Sequence, residues 1–299
     1  MSDRLTDNYG RTIKSLRISV TNRCNQNCIY CHNEGEGSKN GIFEVDSNTI
    51  SRIVTAASSF GVGKVKFSGG EPLLRKDFAD IIASFPAIEE ISATTNGTML
   101  SDYASRLADA GLDRVNISMD TLNEEKYSFI TGSQKNVLSK VLEGIESAID
   151  ADLTPVKLNM VILRGINDSE IEDMIEFVKG RPLILQIIEL MDFKNIPEYQ
   201  FDMVQIEDVL KSQSDSVVVR EMHHRKKYFV DGAEVEIVRP VDNSEFCANC
   251  TRLRLTSDGK LKPCLLSNEG LVDVNGLSLI EMRDALKLAV SNREPFCKG

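Results

Sequence analysis

The chain has 299 residues, and 35 Lys and Arg against 45 Asp and Glu leave a formal net charge of −10. That balance excludes a surface that grips nucleic acid or anionic lipid through bulk charge, but not a pocket that holds a small anion with a few local cations. No apolar run approaches the roughly 18 residues that cross a bilayer, and the opening MSDRLTDNYGRTIKS has no apolar stretch of signal-peptide type, so a cytoplasmic chain with reduced thiols is expected.

In chain order, β-rich runs at 16–20, 64–68, 91–95, 114–118, 155–162 and 183–190 alternate with segments whose apolar residues recur at three- and four-residue spacing, at 47–60, 77–84, 102–110, 137–151 and 169–178. Asp46-Ser47 and Asn167-Asp168-Ser169-Glu170 supply helix-start signals for the first and last of these. The alternation predicts repeated βα units around a parallel sheet, with the apolar run from Leu183 to Ile188 buried on both faces. Past about residue 200, after Asn195-Ile196-Pro197, short strands follow at 217–220, 228–230, 235–238, 253–256 and 260–262. Asp231-Gly232 and Asp258-Gly259 read as hairpin turns, and an amphipathic helix closes the chain at 277–290. Two regions are therefore expected, 1–200 and 201–299.

The seven cysteines lie at 24, 28, 31, 247, 250, 264 and 297. Two tight triplets and a straggler make a poor disulfide pattern and a good metal pattern. Cys24, Cys28 and Cys31 form C-x3-C-x2-C directly after the first strand. Three thiolates there suit three irons of a 4Fe–4S cluster, leaving the fourth iron open to a small chelating molecule. A structural zinc site is the alternative, and it needs a fourth ligand, for which His32 stands awkwardly next to Cys31. Cys247, Cys250 and Cys264 form a second set of three, whose zinc alternative would borrow Cys297, His223 or His224. Arg252 and Arg254 alternate along a strand and so share a face, where paired guanidiniums suit a phosphate chain.

The first triplet, with Tyr30 before its last cysteine, resembles the signature of the radical S-adenosylmethionine (SAM) superfamily, and Ser68-Gly69-Gly70-Glu71-Pro72 resembles its GGEP segment. The run from Phe246 to Leu265 is similar to the C-terminal cluster region of the GTP 3′,8-cyclase family of molybdenum cofactor biosynthesis, and the similarity extends over nearly the whole chain. The resemblance implies an incomplete (β/α)6 barrel followed by a mostly antiparallel region that carries a second 4Fe–4S cluster. It implies SAM contacts at Tyr30, Gly69, Gly70, Glu71 (to the ammonium), Ser118 and Met191, and GTP contacts at Arg17, Lys66, Thr94, Lys157, Arg252, Leu253 and Arg254. Arg17, Arg252 and Arg254 take the catalytic roles.

The implied activity is that of a lyase: GTP becomes 3′,8-cyclo-7,8-dihydro-GTP through a 5′-deoxyadenosyl radical. The implied partners are a low-potential flavodoxin- or ferredoxin-like electron donor and a downstream cyclic pyranopterin monophosphate synthase. Three positions depart from the family pattern. Lys66 stands where arginine is frequent, Gln186 stands where many members have a GTP-facing arginine, and the tail ends Cys297-Lys298-Gly299 with one glycine rather than two. A peptide-modifying radical SAM enzyme would need more C-terminal cysteines and a docking segment. A zinc-stapled interaction protein would leave GGEP, Arg17 and the arginine pair without a reason.

Overall fold

Six short runs of apolar and β-branched residues form β1 (Ser15–Ser19), β2 (Lys64–Ser68), β3 (Glu90–Thr95), β4 (Arg114–Ser118), β5 (Val156–Val161) and β6 (Leu183–Ile188). The computed structural model describes residues 4–36, 41–241 and 243–296. The six strands pair in chain order, each parallel to the next. Every crossover carries helix: α1 (Ser47–Ser58), α2 (Phe78–Ala83), α3 (Leu100–Asp109), α4 (Glu124–Thr131) with α5 (Val137–Asp150), and α6 (Ile171–Val178). This is the expected set of βα units. Asp46 caps α1, its side chain accepting from the Thr49 N–H at 2.9 Å. The expected cap at Asn167 is absent: its buried amide instead ties Leu163, Asp120 and Val161 together, and α6 begins only at Ile171, after a short 3-10 turn.

The last third of the chain builds outward from both ends of this sheet. After α7 (Met203–Gln213), β7 (Ser216–Val219), β8 (Lys226–Val230) and β9 (Ala233–Val238) run antiparallel, and β9 joins β6 in parallel. After α8 (Ser244–Ala248), β10 (Arg252–Leu255) lies parallel to β1, and β11 (Lys260–Lys262) and β12 (Val272–Asp273) follow antiparallel. The result is one twelve-stranded mixed sheet in the order β12-β11-β10-β1-β2-β3-β4-β5-β6-β9-β8-β7, unbroken across residue 200. Helix α9 (Leu279–Ser291), opened by a Ser278/Glu281 capping box, packs its Met282, Leu286 and Ala289 face into the core. Helices α4, α7 and α8 go beyond the sequence expectation. Register sets the stage for the site: Lys66 on β2, Arg17 on β1 and Arg254 on β10 stand side by side across three neighbouring strands.

Candidate active site

The inner faces of β1 to β6 and β10, with the loops at their ends, enclose a cavity of about 420 Å³. Both cysteine triplets open onto it, as do Arg17, Tyr30, Lys66, Gly69, Gly70, Thr94, Ser118, Lys157, Gln186, Met191, Arg252 and Arg254. Residues separated by more than 200 positions therefore share one chamber, and they do so because β10 takes its place beside β1. Cys297 and Gly299 lie outside the described residues.

Two of the expected contact residues do not line the cavity in this structure. Glu71 does not line the cavity. It is fully buried, and its carboxylate accepts from the Leu73 N–H at 3.0 Å, Thr95 Oγ1 at 2.8 Å and the Asn96 N–H at 2.7 Å. These three local donors tie Glu71 to the turn that follows β2 and to the end of β3. Leu253 also stays out of the cavity, because alternation along β10 sends its side chain into the core while Arg252 and Arg254 face the chamber.

The paired glycines have a structural reason of their own. A Cβ on Gly70 would stand 2.1 Å from the Arg23 carbonyl oxygen, and one on Gly69 would stand 2.4 Å from that of Thr21. The Gly70 and Glu71 N–H groups donate to those same carbonyls at 2.8 and 2.7 Å. The GGEP turn is thus pressed against the chain that leads into Cys24 and holds the first cysteine loop in place.

Within that loop the three thiols crowd one another. Burial pushes Cys28 well up, and Asp120, Cys31 and Cys24 add to it by repulsion; Cys24 is raised by burial, then by Glu71 and Cys31. Three thiolates so placed call for a positively charged soft metal centre between them. Among the described residues no three His, Cys, Asp or Glu side chains are placed to hold a single metal ion, as a tetrahedral zinc staple requires. Thiolates on separate irons of a cluster need not converge in that way. Tyr30 donates to Asp120 Oδ2 at 2.6 Å, and burial raises the Asp120 carboxyl to about 6.

The cavity's cations divide into two kinds. Arg17 and Arg254 both donate to the buried carboxylate of Glu34, the latter at 2.9 Å. Burial pushes Glu34 up, but these two guanidiniums outweigh it and hold the carboxyl down at about 2. Lys157 and Arg220 each donate to Glu236 Oε1 at 2.6 Å, Arg225 lies 3.5 Å from its Oε2, and Gln186 donates to it as well. Gln186 therefore faces a buried carboxylate. Arg114 pairs with Glu90.

Lys66 and Arg252 are different. Neither has a carboxylate partner among the described residues; Arg252 donates to the Met222 sulfur at 3.8 Å and is favoured by the nearby Cys250. Burial drives the ammonium of Lys66 well below its ordinary range, and Arg17, Arg114, Arg252 and Lys157 add repulsion; burial, Arg17 and Arg254 act likewise on Arg252. Two such charges facing one chamber are costly unless an anion joins them.

Several contributions, though not every residue that makes them, escaped the sequence reading. Arg11 and Arg293 share the buried Asp7 and donate to the carbonyls of Cys247 (3.0 Å) and Cys250 (2.8 Å), fixing the second cysteine loop. His223 stacks on Phe246 with centroids 3.7 Å apart, and burial with the nearby arginines keeps its ring neutral. No local spacing marks these residues.

Comparison with known proteins follows this geometry. Residues 18–178 match the radical SAM superfamily, and residues 183–297 match the domain described as Molybdenum Cofactor Synthesis C. A protein of Methanocella arvoryzae named probable GTP 3′,8-cyclase is 53% identical over 295 residues, spanning 99% of this chain and 95% of its own. Proteins of the same name from Methanosarcina acetivorans (54%; 98% of this chain, 90% of theirs) and Archaeoglobus fulgidus (46%; 99% and 100%) are similar throughout. Among solved structures, Streptococcus suis SuiB bound to S-adenosylmethionine superposes with a TM-score of 0.66 at 15% identity, covering 90% of this chain and 65%, less than two thirds, of that one. Native anSMEcpe with bound AdoMet gives 0.61 at 18% identity, covering 92% and 81%. At such identities the likeness shows the fold alone. No helix among the described residues is long and apolar enough to cross a membrane.

Proposed function

This chain belongs to the radical SAM superfamily and, within it, to the GTP 3′,8-cyclases of molybdenum cofactor biosynthesis, and on that premise we propose that it is a lyase converting GTP to (8S)-3′,8-cyclo-7,8-dihydroguanosine 5′-triphosphate. The observation that carries the reading furthest is the pair Lys66 and Arg252, half-buried cations without a carboxylate partner among the described residues, in a chamber that both cysteine triplets share. A triphosphate supplies the counter-charge that these two cations lack. In this reading Cys24, Cys28 and Cys31 hold one 4Fe–4S cluster and Cys247, Cys250 and Cys264 a second; superfamily membership supports SAM and an iron–sulfur cluster as cofactors.

With the first cluster and SAM bound, the site would support removal of one hydrogen atom from the ribose C3′ and closure of that carbon onto C8 of the base, the unpaired electron left on the base being discharged by one further electron from the donor and a proton at N7. The protein's own part is placement. Gly69 and Gly70 hold the first cysteine loop and leave room beside it, while Tyr30, Ser118 and Met191 border the same end of the chamber. Lys66 and Arg252 draw in the phosphates, with Arg17, Lys157 and Arg254 beside them and Thr94 on the same wall. The buried walls keep water from the reactive carbon. A low-potential flavodoxin- or ferredoxin-like donor would supply electrons, and a cyclic pyranopterin monophosphate synthase would consume the product, all in the cytoplasm.

The test is to reconstitute the protein anaerobically, add SAM, reductant and GTP, and read the products by mass spectrometry. The reading expects 5′-deoxyadenosine that depends on GTP, together with an isomer of GTP. SAM cleavage with GTP unchanged would refute the substrate.

A further inference from the structure

The segment Glu34-Gly35-Glu36 leaves the first cysteine loop three residues after Cys31 and is held at each of its three residues by the C-terminal strands or the turn between them. Arg254 on β10 donates to Glu34 at 2.9 Å, and Arg17 on β1 donates to the same carboxylate from the barrel wall. Lys262 on β11, 1% exposed, donates to the Gly35 carbonyl at 2.6 Å. Ser257, in the turn between β10 and β11, donates to Glu36 through its N–H at 3.0 Å and its hydroxyl at 2.6 Å. Gly35 sits at φ +67°, and a Cβ there would stand 2.2 Å from the carbonyl oxygen of Leu265, the residue after Cys264. Only glycine lets the two cysteine-bearing stretches approach this closely.

We infer that residues 34–36 form a brace that sets the first cysteine loop, Arg17 and the second cysteine set in one register, with Glu34 as its positioning residue. The inference rests on the cyclase reading, in which a substrate held beside the second triplet must offer one particular carbon to a radical formed beside the first. Glu34 does not compete for the phosphates in this arrangement. Among the described residues Arg17 Nη1, Arg254 Nη2 and Arg254 Nε make no hydrogen bond, so each guanidinium keeps donors for an anion while its other edge is anchored. The brace works through the guanidiniums it holds and through the spacing that Gly35 permits.

The experiment compares wild type with Glu34→Gln, Gly35→Ala and Glu36→Gln, all reconstituted anaerobically to equal iron content. Two quantities are read: cyclised GTP formed per 5′-deoxyadenosine, and the equilibrium Kd for GTP of the oxidised protein without SAM. Glu34→Gln and Gly35→Ala should keep SAM cleavage while product per 5′-deoxyadenosine falls about tenfold or more, since a 1 Å misplacement can cost on the order of 10²-fold. Glu34→Gln should also raise the Kd about tenfold, as expected for losing charge-assisted orientation. Glu36→Gln weakens a partly exposed link without removing a buried charge, so it should fold like wild type and lose coupling by about two- to tenfold. Variants that couple and bind as wild type does would overturn the brace. A wild type that forms no GTP-dependent product would instead overturn the cyclase reading, and the brace with it.

Discussion

Replacing Lys66 with Met should stabilise the nucleotide-free protein and weaken its hold on GTP, two effects of opposite sign from one side chain. Lys66 is enclosed by Arg17, Arg114, Arg252 and Lys157 and has no acid partner among the described residues. Replacing buried charge with an apolar group of similar length is often stabilising by about 1–4 kcal/mol; Lys66 is only partly buried, so the lower half of that range is expected. At about 2–4 °C per kcal/mol for a chain of this general size, the thermal midpoint should rise by several degrees. Without the ammonium, one charge-assisted bond to phosphate is lost, which is about 1.5–3 kcal/mol and so about 10- to 100-fold in Kd. The assay is anaerobic thermal unfolding of wild type and variant at equal iron content, with and without GTP, alongside equilibrium binding. In saturating GTP the wild type should recover its disadvantage, because ligand binding adds stability as RT ln(1 + [L]/Kd), which favours the tighter binder. A variant that melts lower without GTP and binds GTP as tightly as wild type would refute the reasoning.

Three further outcomes are expected. Cys24→Ser and Cys264→Ser should each reduce iron from about eight to about four per chain, as two independent four-iron sites require; iron and zinc analysis of anaerobically purified protein checks this. Asp120, raised by burial to about 6, binds a proton more tightly in the folded chain, so the unfolding free energy should fall by about 3 kcal/mol as pH rises from about 4 to about 6. Denaturant titrations across that window should show the slope in wild type and a flatter profile in Asp120→Asn. Gly70→Ala would drive a methyl against the Arg23 carbonyl and should destabilise by about 1–3 kcal/mol or more, with iron lost from the first triplet ahead of the second.

Much of the fold was legible because its strands are short, apolar and regularly spaced, and the six βα units stand where those runs predict them. Helix α4 was hidden by a polar sequence, Glu-Glu-Lys-Tyr-Ser-Phe-Ile-Thr, that buries only Tyr127, Ile130 and Thr131. Helix α7 did carry a signal, the Asp202 cap followed by Met203, Ile206 and Leu210 at three- and four-residue spacing. The cysteine triplets and the alternating Arg252 and Arg254 were legible because ligand spacing and strand period are local properties. Glu34, Glu236 and Asp7 were not, because each gains its meaning from cations brought in by other strands. Glu71 shows the converse: its place in a recognisable motif suggests a ligand contact, and the structure adds three nearby donors that tie it to the turn, which no local spacing announces.

The central claim is that one ribose hydrogen of GTP passes to the deoxyadenosyl carbon in this chamber. The most direct measurement supplies GTP deuterated at C3′ to the reconstituted protein with SAM and reductant, and weighs the 5′-deoxyadenosine by mass spectrometry. The account predicts one deuterium in 5′-deoxyadenosine from the 3′-labelled substrate and none from substrate labelled at C2′. Deuterium arriving from C2′, or 5′-deoxyadenosine that never carries the label while GTP is consumed, would contradict it.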